Sequence, residues 1–89
     1  MELEELRKNI DSIDRQILEI LAKRMELVSK VAQYKKEKGI TLKQPEREKQ
    51  LIERNRAIAK ELGLCEDFVE SICRAIINES LRLEETIKQ

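Results

Sequence analysis

The stretch Leu3–Lys38, LEELRKNIDSIDRQILEILAKRMELVSKVAQYKKEK, decides the fold. Its marked positions recur at alternating steps of three and four: Leu3, Leu6, Ile10, Ile13, Ile17, Ile20, Arg24, Leu27, Val31, Tyr34 and Lys38. That alternation is the seam of a helix that packs against another helix along its whole length, here over about five heptads. Glu-before-Lys pairs four residues apart, Glu4–Lys8, Glu19–Lys23 and Glu26–Lys30, support the same helix from its outer face. A helix of about 36 residues is about 54 Å long. A compact chain of this size has a radius of gyration of only about 12 Å. The shorter elements that remain cannot wrap such a rod, so it must protrude and pack against a second copy.

The rest of the chain follows from three helix breakers, Gly39, Pro45 and Gly63. Pro45 suits a first helical position, and the glycines suit C-terminal caps. Helices are therefore predicted over about 2–38, 45–62 and 66–87. No stretch alternates with period two, so no strand is predicted. The expected fold is all-α: three helices per chain, one very long, in an intertwined homodimeric bundle. All 89 residues form one small domain.

Composition removes several function classes. Lys and Arg number 18, Asp and Glu also 18, so net charge is zero and a dedicated nucleic-acid binder is disfavoured. The two aromatic side chains, Tyr34 and Phe68, offer little for base stacking. No apolar run approaches the ~20 residues of a membrane span. There is no histidine, and Cys65 and Cys73 are not spaced as zinc ligands, so no metal is expected. Two cysteines without a signal peptide suggest a reduced, cytoplasmic setting rather than a disulfide framework.

The function lies where charges interrupt apolar faces. Arg24 occupies a seam position, with Arg7 and Lys35 flanking the seam. A buried guanidinium is costly unless partnered, and nothing acidic shares this seam. Glu48, with Arg47 beside it, heads the apolar stripe of the second helix. Ser80 and Glu84 continue that of the third. Each has a plainer reading. Arg24 could set coiled-coil register, and Arg7, Lys35 and Arg47 could be solvated. Glu48 could compensate the helix dipole. Ser80 could bond back to its own helix, and Glu84 could pair with Lys88. Together they compose a cationic pocket with apolar walls and one or two carboxyls, suited to a small dianion bearing a hydroxyl. No nucleophile–base pair is present, so chemistry there works by positioning and electrostatics.

These residues resemble the all-helical class of chorismate mutases over nearly the whole chain. The elements carrying the resemblance are Leu6-Arg7-x-x-Ile10-x-x-Ile13-Asp14, Leu21-Ala22-x-Arg24 and Val31-x-x-x-Lys35, then Pro45-x-Arg47-Glu48 and Ile76-Ile77-x-Glu79-Ser80. The resemblance implies the Claisen rearrangement of chorismate to prephenate, at the branch point to phenylalanine and tyrosine, without cofactor or covalent intermediate. It implies a homodimer in which Arg7 enters the partner's site and, with Arg24, clamps the substrate carboxylates. Lys35 would bond the ether oxygen, Glu48 would accept from the ring hydroxyl, Arg47 would join the electrostatic cluster, and Ser80 would contact a ring-side group. Gln44 stands where many relatives have Asp near the substrate hydroxyl. Glu84 stands where many have Gln, a donor to the ether oxygen. Only a protonated Glu84 can donate there, so turnover is expected to rise on acidification. Two other readings compete. A pyruvate-eliminating isochorismate enzyme on the same fold would lack the Glu of Pro-x-Arg-Glu. A non-catalytic dimerisation module would explain the heptads but not the inward charges.

Overall fold

The computed structural model describes residues 2–88, with the Lys88 side chain outside that description. It contains three helices, α1 (Leu3–Lys38), α2 (Pro45–Leu62) and α3 (Glu66–Lys88), and no strand among the described residues. Each boundary has a local cause. Gly39 ends α1 in the left-handed region at φ 66°, and Gly63 ends α2 at φ 74°. Pro45 opens α2 at its first turn, where a missing N–H removes no helical bond. Acidic residues occupy all three first turns, and lysines the last turns of α1 and α2, complementing the helix dipoles.

Helix α3 packs on both α1 and α2, which do not pack on each other directly. A cleft is left between the C-terminal half of α1, the start of α2 and the second half of α3. Small residues permit the close approaches: Ala32 on α1 and Ala59 on α2 are almost fully buried. A second device joins α2 to α3 at the surface. Arg56 donates to Asp67 at 2.9 Å and to Glu70 at 2.8 Å, and Arg74 holds the other Glu70 oxygen at 2.9 Å. The Arg74 bond, and then that of Arg56, holds the Glu70 carboxyl below the usual range against the opposing effect of desolvation. Below them, Asn55 Nδ2 donates to the buried Cys73 Sγ at 3.2 Å.

One chain does not close a core. Its radius of gyration is 16.2 Å and its extents are 55 × 24 × 14 Å, against about 12 Å for a compact chain of this length. It exposes 7248 Å², where a compact monomer of this mass exposes about 5,400 Å². No large side chain among those described is fully buried. The excess is concentrated: every described residue from Glu2 to Ile20 is exposed, and burial on α1 begins at Leu21. Leu3, Leu6, Ile10, Ile13, Ile17 and Ile20 therefore form a bare apolar strip on an arm that this chain leaves uncovered.

Candidate functional site

Seven of the eight residues singled out from the sequence meet in the cleft between the helices. Arg24 and Lys35 enter from α1, Gln44, Arg47 and Glu48 from the start of α2, and Ser80 and Glu84 from α3. The cleft holds about 250 Å³, and its apolar wall includes Val28, Val31, Leu51, Ile77 and Leu81. Arg7 is exposed on the free arm of α1. It lies seventeen residues before Arg24, about 25 Å along the helix, and does not line this cleft.

Two linked pairs organise the floor. Arg24 Nη1 donates to Ser80 Oγ at 2.8 Å, and Ser80 Oγ donates to the Ile76 carbonyl at 2.8 Å. Ser80 is thus bonded back to its own helix and also orients a guanidinium across to α1. Lys35 Nζ donates to Glu84 Oε2 at 3.0 Å and to the Leu42 carbonyl at 2.7 Å. The Lys35 and Glu84 side chains are 14% and 8% exposed, so this is a desolvated ion pair rather than a surface one. Glu84 therefore spends its charge inward; the Lys88 side chain, its other candidate partner, lies outside the described residues.

Glu48 differs from the rest. It sits in the first turn of α2, and its Oε2 is buried with no hydrogen-bond partner. A buried carboxylate oxygen left this way carries a desolvation cost unless something else donates to it. Gln44, at the N-cap of the same helix, uses its Nε2 to donate to the Thr41 carbonyl at 2.8 Å. Its side chain braces the α1–α2 loop at the rim of the cleft.

Counted together, Arg24, Lys35 and Arg47 oppose Glu48 and Glu84, leaving one net positive charge in the cleft. Every oxygen of the Lys35 cluster is an acceptor when Glu84 is ionised, so Lys35 is then its one donor toward the cleft. Such an arrangement can bind an anion, offer an acceptor to a donor on that anion, and stabilise negative charge developing near Lys35. Leu42 is the component the sequence reading missed. It is buried and lines the cleft, but it lies in the loop between α1 and α2, outside any helical periodicity and two residues from the exposed Ile40.

Comparison with known proteins gives the same direction. The family model described as chorismate mutase type II matches residues 6–85. The chain is 38% identical over 82 residues to the chorismate mutase of Methanocaldococcus jannaschii, covering 92% of this chain and 83% of that protein. It is 38% identical over 78 residues to the T-protein of Haemophilus influenzae, covering 88% of this chain. It is 31% identical over 86 residues to the 4-amino-4-deoxychorismate mutase of Streptomyces venezuelae, covering 97% of this chain and 84% of that protein. Against T-proteins the chain spans about a fifth of the relative's length, 21% in the Haemophilus case.

Proposed function

The chain belongs to the chorismate mutase type II family, and we propose that its cleft catalyses the rearrangement of chorismate to prephenate. The observation that carries this reading is Glu48 Oε2, buried and unpartnered at the wall of a cationic cleft. Chorismate brings two carboxylates for the cations and a ring hydroxyl whose proton satisfies that oxygen.

The reaction is a cyclic shift of electron pairs. The ether C–O bond breaks as a C–C bond forms between the enolpyruvyl arm and the ring, and no proton or electron passes to the protein. The protein's work is to hold the arm over the ring and to stabilise charge as the ether oxygen departs. Arg24, fixed by Ser80, clamps one carboxylate. Lys35, held between Glu84 and the Leu42 carbonyl, donates to the ether oxygen. Glu84 assists when protonated; when ionised it accepts from Lys35 and repels the developing charge. Arg47 adds to the positive field at the rim, and Gln44 holds the loop beside the ring hydroxyl.

The active assembly is a homodimer. The α1 seam is self-complementary when two copies run antiparallel. Leu3 then lies opposite Tyr34, Leu6 opposite Val31, Ile10 opposite Leu27, Ile13 opposite Arg24 and Ile17 opposite Ile20. This register covers the bare arm and brings Arg7 of the partner subunit beside Val31, at the cleft. A third guanidinium there raises the net charge of the cleft to two, matching the dianion. The cytoplasm, where the shikimate-derived substrate is made, is the proposed setting. No helix among the described residues is long and apolar enough to cross a membrane.

A second substrate is favoured by the same oxygen. Glu48 Oε2 accepts from an amine as readily as from a hydroxyl, and the Streptomyces relative is named for the 4-amino analogue. The test presents chorismate, its 4-amino analogue and isochorismate separately and identifies products by NMR. Prephenate from chorismate supports the mutase. Pyruvate from isochorismate alone contradicts it in favour of a lyase. No product from a folded dimer leaves a dimerisation module.

A further inference from the structure

Lys35 is held by a backbone oxygen as well as by a carboxylate. Its ammonium has three N–H groups. One is given to the Leu42 carbonyl at 2.7 Å and one to Glu84 Oε2 at 3.0 Å. One remains for the cleft. The carbonyl is the shorter of the two contacts, and it belongs to the loop between α1 and α2.

That loop is closed on itself. Gly39 turns the chain at φ 66°, the Ile40 N–H donates to the Lys35 carbonyl at 2.9 Å, and Gln44 Nε2 donates to the Thr41 carbonyl at 2.8 Å. From Gly39 to Gln44 every residue is exposed except Leu42, which is 8% exposed. Burial of this one side chain against the cleft wall sets where its own carbonyl lies. Without that anchor, Lys35 would have Glu84 as its sole fixed partner and would turn toward it, closing an ion pair whose charges cancel within the protein.

Resting on the mutase reading, we infer that Leu42 is a positioning residue: its buried side chain pins the loop so that its carbonyl and Glu84 together aim the third Lys35 N–H at the departing ether oxygen. The side chain acts through Lys35, and the apolar surface it adds to the cleft is incidental. Misplacing a donor by a fraction of an ångström is felt in the chemical step more than in binding.

The experiment uses the full chain with Leu42→Ala, the milder Leu42→Val and the conservative Leu42→Met. Steady-state kinetics with chorismate are expected to show kcat lowered about tenfold or more in Leu42→Ala, with KM within about threefold. Leu42→Val falls between, and Leu42→Met recovers most of the rate. Calorimetry then compares an oxabicyclic dicarboxylic acid that mimics the transition state with its carbocyclic counterpart, which has a methylene in place of the ether oxygen. Leu42→Ala, or Leu42→Val should the first fail to fold, weakens the ether ligand several-fold more than the methylene ligand. Equal weakening of both ligands, or an unchanged kcat, overturns the inference and makes Leu42 a wall residue only. Failure of the wild-type protein to convert chorismate would instead remove the mutase reading itself.

Discussion

Arg24 and Ser80 form a relay between helices: Arg24 Nη1 donates to Ser80 Oγ at 2.8 Å, while the Ser80 proton goes to the Ile76 carbonyl at the same distance. The serine thus acts as an acceptor for the guanidinium. Ser80→Ala removes that acceptor from a buried site and frees Arg24. The expected result is a fall in kcat/KM of about tenfold, the worth of one buried charge-assisted bond. Ser80→Thr, which keeps the hydroxyl, retains more activity. Equal activity of both variants with wild type in steady-state kinetics would argue against the relay.

Arg24 itself separates catalysis from assembly. It replaces an apolar residue on the α1 seam, so Arg24→Leu completes that seam. The variant is expected to keep or raise the thermal midpoint of the dimer while kcat/KM drops about 10²- to 10³-fold, the loss typical of a key electrostatic donor. A dimerisation module would show the gain in stability and lose nothing. Thermal unfolding and turnover, measured on one preparation, decide between them.

The proposed mechanism makes the ionised Glu84 a brake on turnover. Its carboxylate is buried against Lys35, with Arg24, Arg47 and Glu48 on the other walls of the cleft. In the proposed substrate pose a carboxylate there faces the ether oxygen with negative charge, where an amide would donate. Glu84→Gln, a permanent donor, is expected to match or exceed the wild-type kcat at neutral pH in steady-state kinetics. A lower kcat in the glutamine variant would refute this role.

A site shared between two subunits, as proposed, predicts complementation. Arg7 lies on the arm remote from its own cleft, whereas Lys35 lines that cleft. Arg7→Ala and Lys35→Ala are each expected to be inactive as pure dimers. Unfolded together and refolded, they regain about a quarter of the wild-type rate, since one site of each mixed dimer is intact. No recovery, with mixed dimers shown by native mass spectrometry, would place Arg7 outside the partner's site.

The α2–α3 surface network predicts acid lability. Arg74, then Arg56, holds the Glu70 carboxyl below its ordinary value of 4.5. A carboxyl lowered in the folded state contributes stability above its unfolded value, and that contribution is lost as pH falls through the folded value. Glu70→Gln is therefore expected to melt below wild type at pH 7, with the difference shrinking below about pH 4. Thermal scans across that range check the sign; a difference that grows on acidification would contradict it.

Much of this was legible in the chain because helices declare themselves locally. The seam from Leu3 to Lys38 exceeds the reach of any 89-residue globule, and Gly39, Pro45 and Gly63 punctuate the rest. Arg24, Lys35, Glu48 and Glu84 stood out because charge on an apolar face is costly and needs a reason. Loop contacts have no such signal. Leu42 sits in Ile40-Thr41-Leu42-Lys43-Gln44, where the sequence does not distinguish it from the exposed Ile40, and its carbonyl carries no mark of its use. The Arg24–Ser80 and Lys35–Glu84 pairings join residues 56 and 49 positions apart, and only the packing of α3 on α1 brings them together. The place proposed for Arg7 depends on a second chain, so the proposal for it rests on seam register and charge.

The most direct test of the central claim is the initial rate of chorismate loss, followed in the ultraviolet with purified protein and no added cofactor or metal. Saturable conversion to prephenate, abolished by Lys35→Ala, is the predicted result. A folded dimer that leaves chorismate at its uncatalysed rate would contradict the account.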